Sequence, residues 1–226
     1  MEMDEEQERK LAMEQNEILA KMIRQSGHHK ISYEQIFYNE DGQIPQGLID
    51  DYYAAARTIA ERIVNGQTRG EEEGMAALFL FRHYIELALK SVIYHLGWLV
   101  TKGNNVPRAE WADWPETHDL ALLWHTVEVQ FPSKMGADLF NSFDVQFVEK
   151  CVTEFHGVDR NGQRLRYFEE KGKNKPVRDR LKMLAASWPA LLNAIQHTHA
   201  VLEDMDTYVV ESHGLNDEWE NEMRSR

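Results

Sequence analysis

Between about Glu71 and Val100 the chain carries apolar residues on two faces of what must be one helix. Leu78, Phe81, Ile85, Leu89, Val92, Leu96 and Leu99 recur at spacings of three and four, and a second row runs through Leu80, Tyr84, Leu87, Tyr94 and Trp98. That period belongs to a helix. A helix apolar on more than one side needs neighbours around it, which predicts the central member of a bundle. Glu71, Glu72 and Glu73 stand at its start, where the helix dipole favours negative charge. One polar row crosses this apolar background: Arg82, Glu86 and Lys90, four residues apart on one face, with His83 beside them.

The remaining segments fit around that helix. Residues 4 to 25 are rich in helix formers but sparse in apolar positions, and read as a helix that needs a partner surface. A loop follows to Pro45, which opens a helix ending at Asn65-Gly66. Residues 101 to 116 form a loop. Thr117-His118-Asp119 then starts a short helix through Leu120, Leu123, Trp124 and Val127, with Thr117 expected as N-cap. Another helix is predicted after Pro132-Ser133, continuing to about Phe155. A last long helix begins near Val177, with Pro189 kinking or restarting it and Ser187 able to cap its second half. No sustained period-two alternation and no fixed repeat interrupts the pattern, so the predicted fold is all-α. The expected organisation is an N-terminal helical extension and loop over residues 1–44, a helical bundle over 45–211 and an acidic tail over 212–226.

Composition narrows the function classes. The 226 residues are 42% apolar and 10% aromatic, enough for one sizeable core and too many for a disordered chain. No apolar run is long enough to span a bilayer, and Met1-Glu2-Met3-Asp4-Glu5-Glu6 is unlike a basic secretory leader. A single cysteine, Cys151, rules out an internal disulfide framework and a cysteine-based zinc cluster, so a reducing cytoplasm is the expected compartment. The net charge of −13 argues against indiscriminate nucleic-acid binding. From Arg160 to Lys182, however, nine basic residues face three acidic ones. That segment reads either as a phosphate-contacting patch or as a solvated loop that pairs with the acids of the body.

Few conventional motifs survive inspection. There is no Gly-x-Ser-x-Gly elbow and no glycine-rich phosphate loop, and Cys151 lies in an apolar helical stretch that suits a small buried side chain. His118-Asp119 is the dipeptide of the HD phosphohydrolases, where an upstream His such as His83 or His95 and a downstream Asp such as Asp138, Asp144 or Asp159 would complete a metal site. The same pair at a helix start has a simpler use as a cap. His197-Thr198-His199 and Gly27-His28-His29 read as surface histidines.

The order of features resembles the HEPN superfamily, and within it the abortive-infection AbiV-like and related stand-alone proteins. The residues that carry the resemblance are the helix from Phe81 through Arg82, His83 and Glu86 to Lys90, the Thr117-His118-Asp119 helix start, and Asp159 with Arg164-Leu165-Arg166-Tyr167 before the last helix. It covers about Pro45 to Glu211. The resemblance implies an antiparallel bundle of four to five core helices, commonly a homodimer, in toxin–antitoxin and phage-defence systems. It also implies a metal-independent endoribonuclease without cofactor, in which arginine steadies phosphate charge while histidine moves a proton. Active members carry an Arg-x(4–6)-His motif; here the match is Arg24 to His29, outside the bundle.

On that footing Arg82, His83, His118 and Arg166 are the expected catalytic group, converging on a phosphate of RNA or of a nucleotide. Arg160, Arg164, Arg166, Tyr167, Lys173 and Lys175 are the expected phosphate-binding set, and Glu86, Lys90 and Asp119 a structural polar network. The alternative is a non-catalytic HEPN-like module in which Glu86 pairs with Arg82, Lys90 or Arg166 to fix the bundle's register. Residues 1–25 would then dock a partner protein. A third reading is the HD-type metal hydrolase.

Overall fold

The computed structural model describes residues 44–101, 117–160, 162, 165 and 187–224. Six helices and no strand are found among them: α1 (Gln46–Val64), α2 (Gly70–Thr101), α3 (Leu120–Met135), α4 (Ala137–Ser142), α5 (Val145–Val158) and α6 (Trp188–Arg224). The all-α bundle expected from the sequence is the fold. No helix among the described residues is long and apolar enough to cross a membrane.

Helix α2 is central, packing on α1, α3 and α6. Its first apolar row is buried from Leu78 through Phe81, Ile85, Leu89 and Val92 to Leu96, and Tyr84, Leu87 and Tyr94 of the second row are buried as well. Burying apolar residues on both sides of one helix makes it the common wall of the surrounding layers. Arg62 pairs with Glu73 beside the connecting turn and Tyr52 meets His83 farther along, so α1 runs antiparallel to α2. Helices α3 and α6 run in the direction of α2. Arg82 meets the turn before α3 while Lys134 reaches the Leu96 carbonyl, and Tyr84 bonds His199 while Ser91 bonds Asp206.

Local signals set most of the helix ends. Pro45 precedes α1, and Gly66, with φ 69°, follows its Asn65 cap. Ser187 accepts the Ala190 N–H, which lets Pro189 occupy the first turn of α6 where no intrahelical donor is needed. Three expectations are corrected. The cap of α3 is Asp119 rather than Thr117: its carboxylate accepts the N–H groups of Ala121 and Leu122, and Thr117 Oγ1 accepts the N–H of Asp119. Pro132 does not start a helix but lies inside α3, because buried Gln130 and Phe131 hold the last turn in place. The break falls at Gly136, whose φ of 101° suits only glycine, and α4 and α5 replace the single helix expected up to Phe155. In addition, α6 continues through most of the acidic stretch expected as a tail, to Arg224.

One packing feature has no counterpart in the periodicity. The indole of Trp188, at the start of α6, lies against Gly70 and Gly74 of α2, where any added Cβ would overlap the ring. Glycines that look like weak points in a helix are here the seat of a large aromatic side chain.

The corrected cap is testable by comparing two substitutions. Asp119→Ala should lower unfolding stability by about 1 kcal/mol, the usual cost of a lost N-cap, while Thr117→Ala should cost markedly less. Equal losses in urea titrations, or a larger loss for Thr117→Ala, would contradict the assignment.

Candidate functional site

The polar row of α2 is built as its spacing implies. Arg82 and Glu86 are 1% and 2% exposed and Lys90 is also buried, so four-residue spacing alone aligns three charged side chains inside an apolar wall. Arg82 Nη1 donates to Glu86 Oε2 at 2.7 Å and Lys90 Nζ donates to Oε1 at 2.9 Å. Burial alone would push the Glu86 carboxyl up, but the neighbouring Lys90, Arg82 and His118 outweigh it and hold it down at about 2. Glu86 is therefore an ionised carboxylate at any ordinary pH and can only accept hydrogen bonds.

Arg82 ties two distant segments to this row. Its Nη2 donates to the His118 carbonyl and its Nε to the Asp159 carbonyl. Asp159 Oδ2 stands 3.6 Å from the same Nε and accepts the N–H of Leu165, which folds the chain after α5 back over the guanidinium. Gly162, with φ 70°, lies on that guanidinium so closely that a Cβ would stand 3.0 Å from Nη1. The four charges of Arg82, Glu86, Lys90 and Asp159 balance, as buried charges must.

His118 is where the buried row reaches the surface. Its Nδ1 lies 2.7 Å from Glu86 Oε1, while the side chain is 65% exposed. Because Glu86 only accepts, the proton of this bond is on Nδ1, which leaves Nε2 as the nitrogen that can gain or lose a proton. An exposed imidazole oriented by a buried carboxylate is the arrangement of a general acid or base. Asp119, the next residue, caps α3 and also holds Arg160, whose Nε donates to Oδ2 at 3.1 Å. Its Oδ1 lies 3.0 Å from His156 Nδ1, in a geometry not aligned for a hydrogen bond. Although partial burial opposes ionisation, Arg160, the backbone N–H of Leu122 and His156 together hold the Asp119 carboxyl below its ordinary range.

The expected catalytic group is thus brought together in part. Arg82 and His118 meet through Glu86, and His83 Nδ1 lies 4.0 Å from Glu86 Oε2. His83 is enclosed by aromatic rings, edge-on to Tyr52 and stacked on Phe79. Arg82 is too deeply buried to touch a ligand and acts on the positions of other residues. Arg160 is exposed at the rim, whereas Arg164, Arg166, Tyr167, Lys173 and Lys175 lie outside the described residues. Of the expected polar network, Glu86 and Lys90 are paired directly, and Asp119 belongs to a neighbouring cluster.

Sequence reasoning missed His156 and Gly162, and singled out Asp159 only as a possible metal ligand and as a residue carrying the resemblance, not as a partner of Arg82. The signal available for Asp159 and Gly162 was their place immediately after an apolar helix, where a buried acid and a left-handed glycine mark a tight return of the chain. His199 is corrected from a surface residue. It stacks on Tyr53 with ring centroids 3.6 Å apart, and its Nδ1 lies 3.1 Å from the Tyr84 hydroxyl. Burial lowers its pKa, and that of Tyr84 is raised well above the ordinary value, chiefly by burial. Thr198 is buried against Cys151, whose thiol burial pushes up to about 11, so Cys151 is the inert core residue expected. His197 pairs with Asp144, the cap of α5.

Among the described residues no group of three or more His, Cys, Asp or Glu is placed to hold a metal ion. The two oxygens of Asp119 already face the α3 N-terminus, His156 and Arg160, and His95 is bound to Asp206. Comparison with known protein families, with characterised proteins and with solved structures finds no significant match to this chain.

Proposed function

We propose that this chain is a HEPN-like, cytoplasmic protein of a defence or toxin system, acting as a homodimer on RNA or a nucleotide by metal-independent phosphodiester chemistry. The observation that carries the reading is His118: an exposed imidazole whose Nδ1 is fixed by a buried, ionised Glu86, leaving Nε2 toward solvent. The basic segment that begins at Arg160 supplies charge of the sign a phosphate requires. Arg82 supports the reading as a positioning residue, since it holds the backbone on which both His118 and Arg160 are mounted.

A second reading is favoured by one specific observation. Every member of the row Arg82, Glu86 and Lys90 has an internal partner, which is what a network that fixes helix register requires. On that reading the chain is a non-catalytic HEPN-like module that engages a partner protein through residues 1–25.

The test is incubation of the purified full chain with total RNA and transfer RNA in excess EDTA. Cleavage that survives EDTA and disappears in a folded His118→Ala variant is the expected result. Intact RNA under every condition, with and without added divalent metal, transfers the assignment to the interaction module.

A further inference from the structure

A recess of about 10 Å³ lies where α1, α2 and α6 meet, away from His118 and the Arg82 row. Tyr84, Ala88 and Ser91 of α2 line it together with Leu202 of α6, all of them buried, while Gln46 and Glu203 at its rim are exposed. That volume takes one water-sized group. Two chains of contacts converge on it. The Ser91 hydroxyl donates to Asp206 Oδ2 at 3.1 Å, and Asp206 Oδ1 lies 2.7 Å from His95 Nδ1. The Tyr84 hydroxyl and His199 Nδ1 engage each other at 3.1 Å, and His199 Nε2 stands 3.2 Å from Glu203 Oε2.

These contacts decide what the lining can still offer. Ser91 has spent its only proton on Asp206, so its buried oxygen has nothing but lone pairs left, and the carboxylates of Asp206 and Glu203 add more. Gln46 donates an amide N–H to Asp50 Oδ1 rather than to the recess. None of the described residues that line the recess is a lysine or arginine. The negative field reaches Tyr84, whose phenol is pushed well above its ordinary range by burial first and then by Glu203, Tyr53, Asp50 and Asp206. A lining of acceptors under negative charge is complemented by a group with several donors, a positive charge and no lone pair. A primary ammonium has that chemistry at the size of a water molecule. An anion would set lone pairs against lone pairs, and a water molecule would keep lone pairs of its own without donors.

We propose that this recess binds the ammonium head of a small primary alkylamine, with Ser91 Oγ, Asp206 and Glu203 as its acceptors. The apolar side chains of Ala88 and Leu202 then flank the first methylenes of the stem. This site does not depend on the chain acting on RNA.

The experiment is a chemical-shift titration of the full-length protein with butylammonium at constant ionic strength, with tetramethylammonium as a cation that has no donor and is too large for the recess. Butylammonium should give saturable shifts at the amides of Ser91 and Leu202, and tetramethylammonium none. Glu203→Gln should raise the dissociation constant about tenfold or more, the usual effect of losing a charged hydrogen-bond partner, whereas Glu149→Gln, the same charge change on exposed α5 surface, should leave it unchanged. Ala88→Val, which fills the recess without altering charge, should abolish the shifts. The proposal is overturned if butylammonium gives no saturable shift, if tetramethylammonium moves the same amides as far, if Glu149→Gln weakens binding as much as Glu203→Gln, or if a folded Ala88→Val variant binds as wild type does.

Discussion

Glu86→Ala should be the most damaging single substitution in the polar row, lowering unfolding stability by about 3–5 kcal/mol and the thermal midpoint by about 10 °C. Removing this carboxylate takes from Lys90 the acceptor of its buried ammonium and from Arg82 its closest carboxylate, and releases His118 Nδ1 as well. The same energy is readable from acid. A carboxyl held at about 2, against 4.5 when unperturbed, contributes about 3 kcal/mol that is fully present above 4.5. This contribution declines as pH falls through the window between those values and is gone below about 2. Urea titrations of wild type and Glu86→Ala should therefore differ most near neutrality and converge in strong acid. A constant difference across that window would show that Glu86 stabilises the bundle by packing alone. Replacing Arg82, Glu86 and Lys90 together by apolar residues should recover only part of the loss. The three charges would go, but the carbonyls of His118 and Asp159 would lose the guanidinium that satisfies them.

Gly74→Leu should destabilise the bundle by about 3 kcal/mol, against the ordinary expectation for a glycine inside a helix. Replacing such a glycine normally gains about 1 kcal/mol of helix propensity. Here even a Cβ overlaps the six-membered ring of Trp188, and a leucine cannot be accommodated unless the indole leaves its seat on α2. Moving it would shift the first turn of α6 away from α2 and expose part of a large apolar surface. A double-mutant cycle isolates the cause. In a Trp188→Ala background Gly74→Ala should turn from destabilising to stabilising, because the collision is gone and the propensity gain remains. The same sign in both backgrounds would contradict this account of the glycine.

What could be read in the sequence followed from regular spacing. The double apolar row of α2, the alignment of Arg82, Glu86 and Lys90, the inert Cys151 and the Ser187 cap all depend on neighbours within a few residues, and local geometry fixes them. What could not be read depends on where the chain returns. Asp159 and Gly162 matter because they close over Arg82, more than seventy residues away in sequence. His156 matters because the end of α5 meets the start of α3. His199 looked like a surface residue because an isolated His-Thr-His gives no sign that Tyr53 and Tyr84 enclose it. The α3 cap was misplaced by two residues because Thr117 and Asp119 are both good caps, and the choice is made by which side chain faces Ala121 and Leu122. Pro132 was misread because the burial of Gln130 and Phe131 beside it offsets the hydrogen bond that a proline removes from a helix.

A buried, ionised Glu86 fixes the His118 ring and turns its Nε2 outward. Long-range proton–nitrogen correlation spectra of the histidine side chains in mildly alkaline solution report which nitrogen of that ring carries the proton. His118 should be found with its proton on Nδ1 in the wild-type protein and lose that preference in Glu86→Gln, while exposed His125 remains the same in both. A wild-type His118 whose two nitrogens match those of His125, and do not change in Glu86→Gln, would contradict the account.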